Sequence, residues 1–477
     1  MSLISVALLT LSSDTSSASP NRSKVPWGPA MGVRGLPTHN YLFGSDLFTV
    51  SCASPGNCSA GGNYALNAKL SQGFVVNESK GVWGRAQPVP GLTRRDASVN
   101  TEVYVMSCPT AGNCSAGGTY QIGHEGTLIF VMNEKNGRWG RAHEVPGSGR
   151  IGSGGGFMTA MSCPTAGNCS AGGILPSTES SSAVGDTSPA SGAFVENETN
   201  GVWGNAQELS GPPAFASAGV DSLSCGSVGN CSAGGTYGDG TEGGESPSFV
   251  AIEKDGVWGE AREIPGLSKL NFGESELRSL SCGATGNCSA VGQYQLASGV
   301  TLAYIANESK GVWGKAFNVP GLIKLNGRHL SALTTISCGA TGSCSAGGSY
   351  GNGSHQTAFI VNETHGVWGQ RMLIAGLKKL NVGDQSSYVQ TVSCVSKGNC
   401  AASGAYSDSV GNAEPFLVNE VHGTWGQSVA VQGLKKLKSN SAGLLAIACG
   451  SPLSCSAVGG FSALKNNGAL IVSTKTR

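Results

Sequence analysis

The segment Ser107-Cys-Pro-Thr-Ala-Gly-Asn-Cys-Ser-Ala-Gly-Gly-Thr-Tyr120 is the most informative part of this chain, because close variants of it occur eight times. Its cysteines are separated by five residues, and equivalent pairs recur every 55 to 62 residues along the 477-residue sequence. A repeat of this length is one supersecondary unit, and such units bury a core only by stacking on their neighbours. The eight pairs are Cys52/Cys58, Cys108/Cys114, Cys163/Cys169, Cys225/Cys231, Cys282/Cys288, Cys338/Cys344, Cys394/Cys400 and Cys449/Cys455.

Each repeat has the pattern of four short β-strands and lacks the periodicity of a helix. In the sixth repeat we predict strands at residues 333–338, 344–350, 357–363 and 367–374, with a five-residue turn at 339–343. A unit of about 55 residues with four antiparallel strands is typical of one blade of a β-propeller. The sequence therefore predicts an all-β, eight-bladed β-propeller of four-stranded antiparallel blades.

The two cysteines of a repeat lie at the ends of the first predicted turn, on neighbouring strands. Opposite positions of antiparallel strands bring Cα atoms to about 5.5 Å or less, which suits a disulfide bond. The alternative is metal binding, but two thiols without a nearby histidine make a poor zinc site. We therefore expect one disulfide per blade, each contributing roughly 2 kcal/mol by closing a small loop.

The two ends of the chain complement each other. The chain begins with a single fourth strand at residues 26–33, and its last repeat has only three strands, at 445–449, 455–461 and 469–473. We expect the N-terminal strand to complete the last blade, which closes the ring and removes an open sheet edge. The predicted propeller domain therefore spans residues 24–477 and follows a leader and linker at residues 1–23.

Cysteine usage and the N-terminal residues bear on the compartment. Sixteen evenly paired cysteines favour an oxidising environment, so we expect a secreted or cell-surface protein. Residues 3–11 form a short apolar run like that of a signal peptide, but no Lys or Arg precedes it, so we expect an atypical or truncated signal. The sequence has no apolar segment of 18 residues, so we expect no membrane span. A net charge of +1 gives no general attraction to nucleic acid.

The repeats resemble those of uncharacterised secreted bacterial repeat proteins. Units of that family read approximately SC-x3-GNCSAGG-x-Y, then AFV-x-NE-x2-G-x-WG, and then VPG-x3-LN. The resemblance covers about residues 26–477 and is specific at residues 107–120 and 358–369. Ile252 and Ser473 depart from it, because other blades have Asn at this position. The resemblance implies a secreted propeller and implies no particular activity or cofactor.

Two aromatic positions recur in nearly every repeat. Sugar stacking is one interpretation of the second position, but a feature present in nearly every blade favours packing between blades. The tryptophans are Trp27, Trp83, Trp139, Trp203, Trp258, Trp313, Trp368 and Trp425. The second set is Tyr64, Tyr120, Leu175, Tyr237, Tyr294, Tyr350, Tyr406 and Phe461.

Propeller ligands usually bind on the face formed by the loops that enter the innermost strand and the loops that join the second strand to the third. Here those loops vary between repeats, whereas the disulfide turns on the opposite face hardly change. After a Gly-Leu pair, five repeats carry a basic residue at one equivalent loop position: Arg94, Lys269, Lys324, Lys379 and Lys436. Converging side chains would form a basic arc for an anionic glycan. The alternative is a solvated lysine inherited from one ancestral repeat.

The innermost strand has one irregular position, four residues before the first cysteine of each pair. It is occupied by Phe48, Tyr104, Thr159, Asp221, Arg278, Thr334, Gln390 and Leu445. Asp221 and Arg278 lie in adjacent repeats, and we expect them near the channel, where they could form an ion pair or contact a ligand. His329, in a loop of the same face, is a further candidate ligand-binding residue. The sequence lacks H-E-x-x-H, G-x-S-x-G and a phosphate-binding glycine loop, so we assign no catalytic residue, metal ligand or cofactor.

These observations leave three functions open. The first is a non-catalytic scaffold that binds an extracellular polymer, such as an anionic glycan, or a protein through its variable loops. The second is a polysaccharide lyase or hydrolase with its site at the channel mouth. The third is a structural surface protein. An enzyme needs unlike polar side chains that converge in one pocket and have perturbed pKa values, whereas binding needs only a charged or aromatic patch.

Overall fold

The computed structural model describes residues 27–37, 44–67, 69–92, 99–122, 126–148, 155–180, 189–212, 217–238, 246–270, 274–322, 330–351, 355–383, 386–463 and 467–475. Within these ranges the chain is almost entirely β-structure, and its strands form eight antiparallel sheets. One short α-helix, α1 (Leu377–Leu380), and two short 3-10 turns, Leu267–Lys269 and Leu434–Leu437, lie between sheets. No helix in the described ranges is long and apolar enough to cross a membrane.

Each sheet is one blade, and in seven of the eight its strands are adjacent in chain order from the first to the outermost. In these seven blades the outermost strand consists of two short segments that both pair with the third strand. In blade 1 the break lies at Gly84, whose N–H donates to the carbonyl of Asn77 at 2.9 Å. The predicted four-stranded blades are thus confirmed, but the single fourth strand predicted at 367–374 is split into Val367–Trp368 and Met372–Leu373.

The first four blades in chain order contain strands β2 to β21. Blade 1 has β2 (Ser45–Ser54), β3 (Asn57–Ala65), β4 (Ser71–Ser79), β5 (Val82–Trp83) and β6 (Gln87–Pro88). Blade 2 has β7 (Val99–Thr110), β8 (Asn113–Ile122), β9 (Thr127–Lys135), β10 (Arg138–Trp139) and β11 (His143–Glu144). Blade 3 has β12 (Phe157–Thr165), β13 (Asn168–Ser180), β14 (Pro189–Thr199), β15 (Val202–Trp203) and β16 (Gln207–Glu208). Blade 4 has β17 (Ser217–Ser227), β18 (Asn230–Gly238), β19 (Ser248–Lys254), β20 (Val257–Trp258) and β21 (Arg262–Glu263).

The other four blades contain strands β22 to β39 and the N-terminal strand β1. Blade 5 has β22 (Ser275–Ala284), β23 (Asn287–Gln295), β24 (Thr301–Ser309), β25 (Val312–Trp313) and β26 (Phe317–Asn318). Blade 6 has β27 (Leu330–Ala340), β28 (Ser343–Gly351), β29 (Gln356–Thr364), β30 (Val367–Trp368) and β31 (Met372–Leu373). Blade 7 has β32 (Ser387–Ser396), β33 (Asn399–Ser407), β34 (Ala413–Val421), β35 (Thr424–Trp425) and β36 (Val429–Ala430). Blade 8 has β37 (Ser441–Ser451), β38 (Ser454–Ser462), β39 (Gly468–Ser473) and β1 (Met31–Gly32).

The first strand of each blade is the innermost one, because it contacts the first strands of both neighbouring blades. This series of contacts runs through all eight blades and closes where β37 of blade 8 contacts β2 of blade 1. β1 completes blade 8 by pairing antiparallel with Leu470 and Ile471 of β39, and an isolated bridge joins Trp27 to Thr474. The predicted eight-bladed propeller and its closure by the N-terminal strand are therefore confirmed.

All eight predicted disulfides are present, and no cysteine is free. The Cα atoms of each pair are 3.9–4.1 Å apart, because the two cysteines sit directly opposite each other in the closely spaced kind of antiparallel pair. The turn between them is tighter than the predicted five residues. In blade 6 the first strand continues past Cys338 to Ala340 and the second begins at Ser343, which leaves a two-residue turn.

The disulfide cysteines, which the sequence predicted as cross-links, are buried or half-buried within the blades. The first cysteine of a pair is buried or half-buried in every blade: Cys52, Cys108, Cys163, Cys225, Cys282, Cys338, Cys394 and Cys449. The second cysteine is always buried, with at most 5% of its surface exposed: Cys58, Cys114, Cys169, Cys231, Cys288, Cys344, Cys400 and Cys455. The physical reason is the position of the second strand, which packs its cysteine against apolar side chains of the preceding blade. These residues therefore belong to the framework, which confirms their predicted role as disulfide cross-links.

A serine hydroxyl of the preceding blade covers the sulfur of the second cysteine. At seven junctions the Oγ of the serine that follows the second cysteine lies 3.3–3.9 Å from the Sγ of the equivalent cysteine in the next blade. Cys58 is covered in this way by Ser456 of blade 8. The contact is missing at Cys455, because blade 7 carries Ala401 in place of the serine. The burial of these sulfurs is thus built into the packing of neighbouring blades.

The serine before the first cysteine of each pair links neighbouring blades. At seven junctions the backbone N–H of that cysteine donates to the hydroxyl of the corresponding serine in the preceding blade, at 2.9–3.1 Å. Blade 8 carries Ala448 at the serine position, so the junction from blade 8 to blade 1 lacks this hydroxyl. The Ser-Cys motif therefore has a structural role beyond the disulfide.

A further link joins the Asn-Glu pair of the third strand to the tryptophan of the next blade. The indole N–H of Trp139 donates to Asn77 of the preceding blade at 3.0 Å, and the amide of Asn77 donates in turn to the buried Glu134. Where Ile252 replaces the asparagine, the indole N–H of Trp313 in the next blade has no partner among the described residues. The recurring tryptophans, and the tyrosines buried between blades, are thus packing residues, as predicted.

Candidate functional site

A β-bulge in the innermost strand of every blade places one extra residue on the wall of the channel. In blade 1, Leu47 pairs with Gly62 and Thr49 pairs with Gly61, so Phe48 between them has no partner across the strand. The same shift in register occurs in the other seven blades. The extra residues are the irregular ones of the sequence: Phe48, Tyr104, Thr159, Asp221, Arg278, Thr334, Gln390 and Leu445. A bulge at this place re-aims the side chain that it carries.

A second set of residues lies two positions before the bulge, nearer the face that carries the variable loops. These residues are Asp46, Glu102, Phe157, Gly219, Glu276, Ala332, Tyr388 and Gly443. Phe157 and Tyr388 expose 42% and 40% of their surface, which is unusual for aromatic side chains on inner strands. This set was not predicted from the sequence. The signal that would have found it is strand alternation, since residues two apart share a face.

A cavity of about 480 Å³ lies at the channel mouth where blades 1, 2 and 3 meet. Its lining includes Asp46 and Phe48 of blade 1, Glu102 of blade 2 and Phe157 of blade 3. Phe48 stacks on Tyr104, the bulge residue of the next blade, with ring centroids 5.3 Å apart and 29° between the planes. The cavity therefore combines two carboxyl groups and the ammonium group of Lys69 with aromatic surfaces that come from three repeats. We call it the blade 1–3 cavity.

The carboxyl groups of the blade 1–3 cavity are held in a partly dehydrated environment. Burial raises the pKa of Asp46 above its usual range. Burial also raises the pKa of Glu102, although a hydrogen bond from Asn63 Nδ2 at 2.7 Å acts in the opposite direction. Glu102 also accepts a hydrogen bond from the hydroxyl of Tyr104. In the described part of the chain no cation forms a salt bridge with either group.

Three other cavities on this face lie between neighbouring blades. A cavity of about 370 Å³ between blades 8 and 1 is lined by Asp46 and Leu445. Asp221 and Glu276 line a cavity of about 430 Å³ between blades 4 and 5, and Asp221 also lines one of about 290 Å³ between blades 3 and 4. Because the bulge residues and their neighbours differ from blade to blade, the lining of each cavity is different.

Asp221 and Arg278 lie at the channel mouth in adjacent blades, but they do not form an ion pair with each other. Arg278 Nη2 lies 2.7 Å from Glu276 Oε2, on its own strand, in the one salt bridge among the described residues. Asp221 accepts a hydrogen bond from the hydroxyl of Thr236 at 3.3 Å. Burial raises the pKa of Asp221 to about 6; Thr236 and Arg278 oppose this rise, and the charge of Glu276 adds to it.

Lys269, Lys379 and Lys436 occupy equivalent, exposed positions in loops that lead into the next innermost strand. Each follows a glycine with positive φ and a buried leucine, as at Gly376 (φ 83°) and Leu377. The leucine packs between blades, so the turn directs the lysine towards solvent. Packing therefore accounts for the Gly-Leu motif, and the lysines are left available to a ligand.

Several predicted residues lie outside the described ranges. They are Arg94, Lys324 and His329, together with the predicted leader at residues 1–23. Of the candidate ligand-binding residues, the structure thus describes Lys269, Lys379, Lys436, Asp221 and Arg278. It places Asp221 in the lining of the cavity between blades 4 and 5, Arg278 beside Glu276 of that lining, and the lysines in the connecting loops.

In the described part of the chain, two groups of side chains each bring three possible metal-ligating atoms within 4.8 Å of one another. They are Cys225, Cys231 and Glu253, and Cys282, Cys288 and Glu308. The sulfurs of each group are joined in a disulfide, so they offer no thiolate to a metal ion. These groups are therefore part of the packing between blades.

Compared by sequence, the chain matches no protein-family profile and no curated protein. Solved structures with a similar fold include Sqt1 from Chaetomium thermophilum bound to the N-terminus of the ribosomal protein L10, with a TM-score of 0.51, 9% identity, and coverage of 92% of this chain and 98% of that chain. A second structure of Sqt1 from the same organism has a TM-score of 0.50 and 10% identity over 92% and 97% of the two chains. An ulvan lyase, a polysaccharide lyase, has a TM-score of 0.42 and 9% identity over 91% and 95%. At these identities the similarity concerns the fold alone.

Proposed function

We propose that this protein is a secreted, non-catalytic scaffold that binds an extracellular polymer or protein through the face at its channel mouth. The observation that carries the proposal is the bulge, because one backbone arrangement presents a different side chain in nearly every blade. Variable side chains on a rigid framework are characteristic of binding surfaces. The blades stay alike where they pack and differ where they face the channel.

The disulfides support the proposed compartment. Eight disulfides, one in each blade, indicate an oxidising extracellular environment. Secretion is part of the proposal, as is the leader predicted at residues 1–23. A polymer of the cell surface or its surroundings, or a protein exposed there, is the kind of ligand that such a protein would meet.

Asp46 and Glu102 are one pair of carboxyl groups that a hydrolase could use, because both line the blade 1–3 cavity. A catalytic acid and base have pKa values that their surroundings push apart. Here burial raises the pKa of both groups, and neither pKa is shifted by the other carboxyl. Glu102 is also held by Asn63 and Tyr104. These features favour binding over hydrolysis.

A second ligand class is an anionic glycan bound by the basic arc. Lys269, Lys379 and Lys436 are exposed at equivalent positions and form no salt bridge within the described ranges. Arg94 and Lys324 have the same place in their repeats. Regularly spaced cations suit a polymer with regularly spaced negative charges.

The test is binding of the purified, oxidised protein to an array of acidic and neutral polysaccharides, at low salt and at 0.5 M salt. Binding to any polymer without its cleavage supports the proposed function. Salt-sensitive binding to acidic polymers, lost when Lys269, Lys379 and Lys436 are all replaced by Ala, assigns that ligand to the basic arc. Release of shorter chains from a polymer would show an enzyme and overturn the proposal.

A protein partner is the alternative ligand, since Sqt1 shows this fold in a complex with a protein segment. Capture of partners from the surface proteome by the oxidised chain, followed by binding measurements with each purified partner, separates this case from polymer binding. A structural surface protein would bind neither a polymer nor a defined partner with a measurable Kd, and that result would also overturn the proposed function.

A further inference from the structure

We propose that the blade 1–3 cavity binds a saccharide that carries protonated amino groups, such as an oligomer of glucosamine. This inference rests on the proposed function, because it names a ligand class for one part of the same face. The cavity volume of about 480 Å³ falls within the range of small-molecule sites, roughly 300–1,000 Å³, so at least one sugar ring can enter.

The aromatic side chains supply a surface for a sugar ring. Phe157 exposes 42% of its surface at the cavity, although aromatic residues on inner strands are usually buried. Phe48 also lines the cavity and is held in place by its stacking on Tyr104. The C–H bonds on one face of a pyranose pack well on an aromatic ring, because the ring offers a flat, apolar and electron-rich surface. Phe157 therefore has the exposure that such stacking requires.

The carboxyl groups select for positive charge. Asp46 and Glu102 lie in adjacent blades on the wall of one cavity, and the described residues provide no salt bridge to either. A partly buried carboxylate is stabilised by an approaching ammonium group, which restores the interactions that burial removed. The lining also includes Lys69, so an anionic sugar would meet two carboxylates against one ammonium group and hence net repulsion. The cavity thus differs in chemistry from the basic arc on the same protein.

Amide groups at the cavity suit sugar hydroxyls. Asn100 lines the cavity and uses its Oδ1 to accept a hydrogen bond from the N–H of Ser71 at 2.8 Å, so its amide N–H groups can donate to a ligand. Asn63 donates to Glu102 and can accept through its Oδ1. This mixture of amides, carboxylates and aromatic rings favours a sugar over a lysine-rich peptide, which would need only the carboxylates.

The experiment is isothermal titration calorimetry of the full oxidised chain with three sugar hexamers at constant ionic strength. They are glucosamine hexamer, N-acetylglucosamine hexamer, which has the same rings without the charge, and galacturonic acid hexamer, which is anionic. We expect the glucosamine hexamer to bind at least about tenfold more tightly than the N-acetylated one, as expected for the loss of a hydrogen bond to a charged group. We expect no binding of the anionic hexamer to this cavity.

Three variants locate the site. Asp46→Asn, Glu102→Gln and Phe157→Ala are each expected to weaken binding of the glucosamine hexamer by about tenfold or more. Asp255→Asn is the matched control for lost charge, because Asp255 lies in a turn where blades 2 and 3 carry Asn136 and Asn200 with the same positive φ. The control is expected to leave binding unchanged. Thermal melting and the absence of free thiols confirm that each variant is folded.

The outcomes distinguish this inference from the proposed function. If the glucosamine hexamer does not bind while a polymer of the array does, the inference is wrong and the proposed function stands. If a trilysine peptide binds as tightly and Phe157→Ala has no effect, the ligand is a basic protein segment and the saccharide proposal is wrong. If no polymer and no partner binds at all, both proposals are wrong.

Discussion

The Cα atom of Gly118 lies so close to the backbone of Glu102 that a Cβ atom added to it would be 1.9 Å from the Glu102 carbonyl oxygen. The same approach recurs in the other seven blades, between the second glycine of each Ala-Gly-Gly or equivalent motif and the residue two positions before the bulge. Only glycine permits this contact. The glycine therefore allows the bulge that presents the variable side chains.

We expect Gly118→Ala to destabilise the protein by about 2 kcal/mol or more, because the new methyl group must push two paired strands apart. The matched control is Gly443→Ala, since a Cβ atom at Gly443 would meet no atom within 4 Å. Thermal unfolding of both variants checks the prediction. Equal melting temperatures for the two variants would contradict the role assigned to Gly118.

The junction between blades 8 and 1 lacks a hydrogen bond that the other seven junctions have. Ala448 stands where the other blades carry serine, and that serine accepts the N–H of the first cysteine in the next blade. We expect Ala448→Ser to stabilise the protein by about 1 kcal/mol, and Ser393→Ala to destabilise it by a similar amount. Chemical denaturation of the two variants measures this. A lower midpoint for Ala448→Ser would show that the added hydroxyl does not reach the N–H of Cys52.

Glu78 lies at the same junction and makes the stability of the protein depend on pH. Burial raises the pKa of Glu78 to about 7. A carboxyl whose pKa is raised on folding contributes stability below its unfolded pKa, near 4.3, and loses that contribution as the pH rises to about 7. Ser473 stands where most blades carry the asparagine that donates to the next glutamate. We expect Ser473→Asn to reduce the loss of stability between pH 5 and pH 8.

Melting temperatures of the wild type and of Ser473→Asn at pH 5 and pH 8 provide the measurement. Ser473→Thr, which offers a hydroxyl but no amide, is the control and should leave the pH dependence close to that of the wild type. The same slope in Ser473→Asn and in the wild type would mean that the new amide does not reach Glu78.

Glu196 is a buried carboxyl in a position where the other blades carry apolar residues. It exposes 1% of its surface, and neither carboxyl oxygen has a hydrogen-bond partner among the described residues. Burial, and secondly the charge of Glu198, raise the pKa of Glu196 to about 8. The equivalent residues are Val76, Met132, Ala251, Ala306, Val361, Val418 and Val472. Glu196 therefore interrupts the apolar packing of blade 3.

We expect Glu196→Val to stabilise the protein by about 1 kcal/mol or more at pH 8, because it removes a buried polar group without a partner. In the wild type, the contribution of Glu196 to the free energy of unfolding is fully present below pH 4.3 and is lost as the pH rises through about 8. The stability gained by Glu196→Val should therefore be larger at pH 8 than at pH 5. Val361→Ala is a control for a change of side-chain size in the equivalent position. A gain that does not change with pH would show that the carboxyl is not the cause.

The disulfides predict a clear redox response. Mass spectrometry after alkylation without a reductant should show no modified cysteine, because all sixteen are paired. Each small loop contributes roughly 2 kcal/mol, so reduction should lower the melting temperature markedly. Finding all sixteen thiols free would contradict both the pairing and the extracellular environment.

The spacing of the cysteines and tryptophans was sufficient to predict the eight blades, the disulfides and the strand exchange at the closure. The blades and the disulfides depend on residues close in sequence, which strand alternation and turn patterns show directly. The closure joins the two ends of the chain, and it was predicted from the single strand at one end and the three strands at the other. The split outer strand and the two-residue disulfide turn were not predicted, because both depend on which backbone groups pair across strands. The ion pair expected between Asp221 and Arg278 was wrong for a similar reason, since Glu276 lies two residues from Arg278 on the same strand and face.

The sequence by itself determined that this chain is a closed, disulfide-bonded ring, because every repeat contains the same pattern of strands, turns and paired cysteines. Only the tertiary structure decided where a ligand can bind. Asp46, Glu102 and Phe157 are about 55 residues apart in sequence, and they share one cavity because the ring places three innermost strands side by side. The bulge, allowed by a glycine on the neighbouring strand, turns the adjoining side chains towards the channel. The pattern within one repeat does not show that these three side chains lie close together, because their proximity arises from packing between blades.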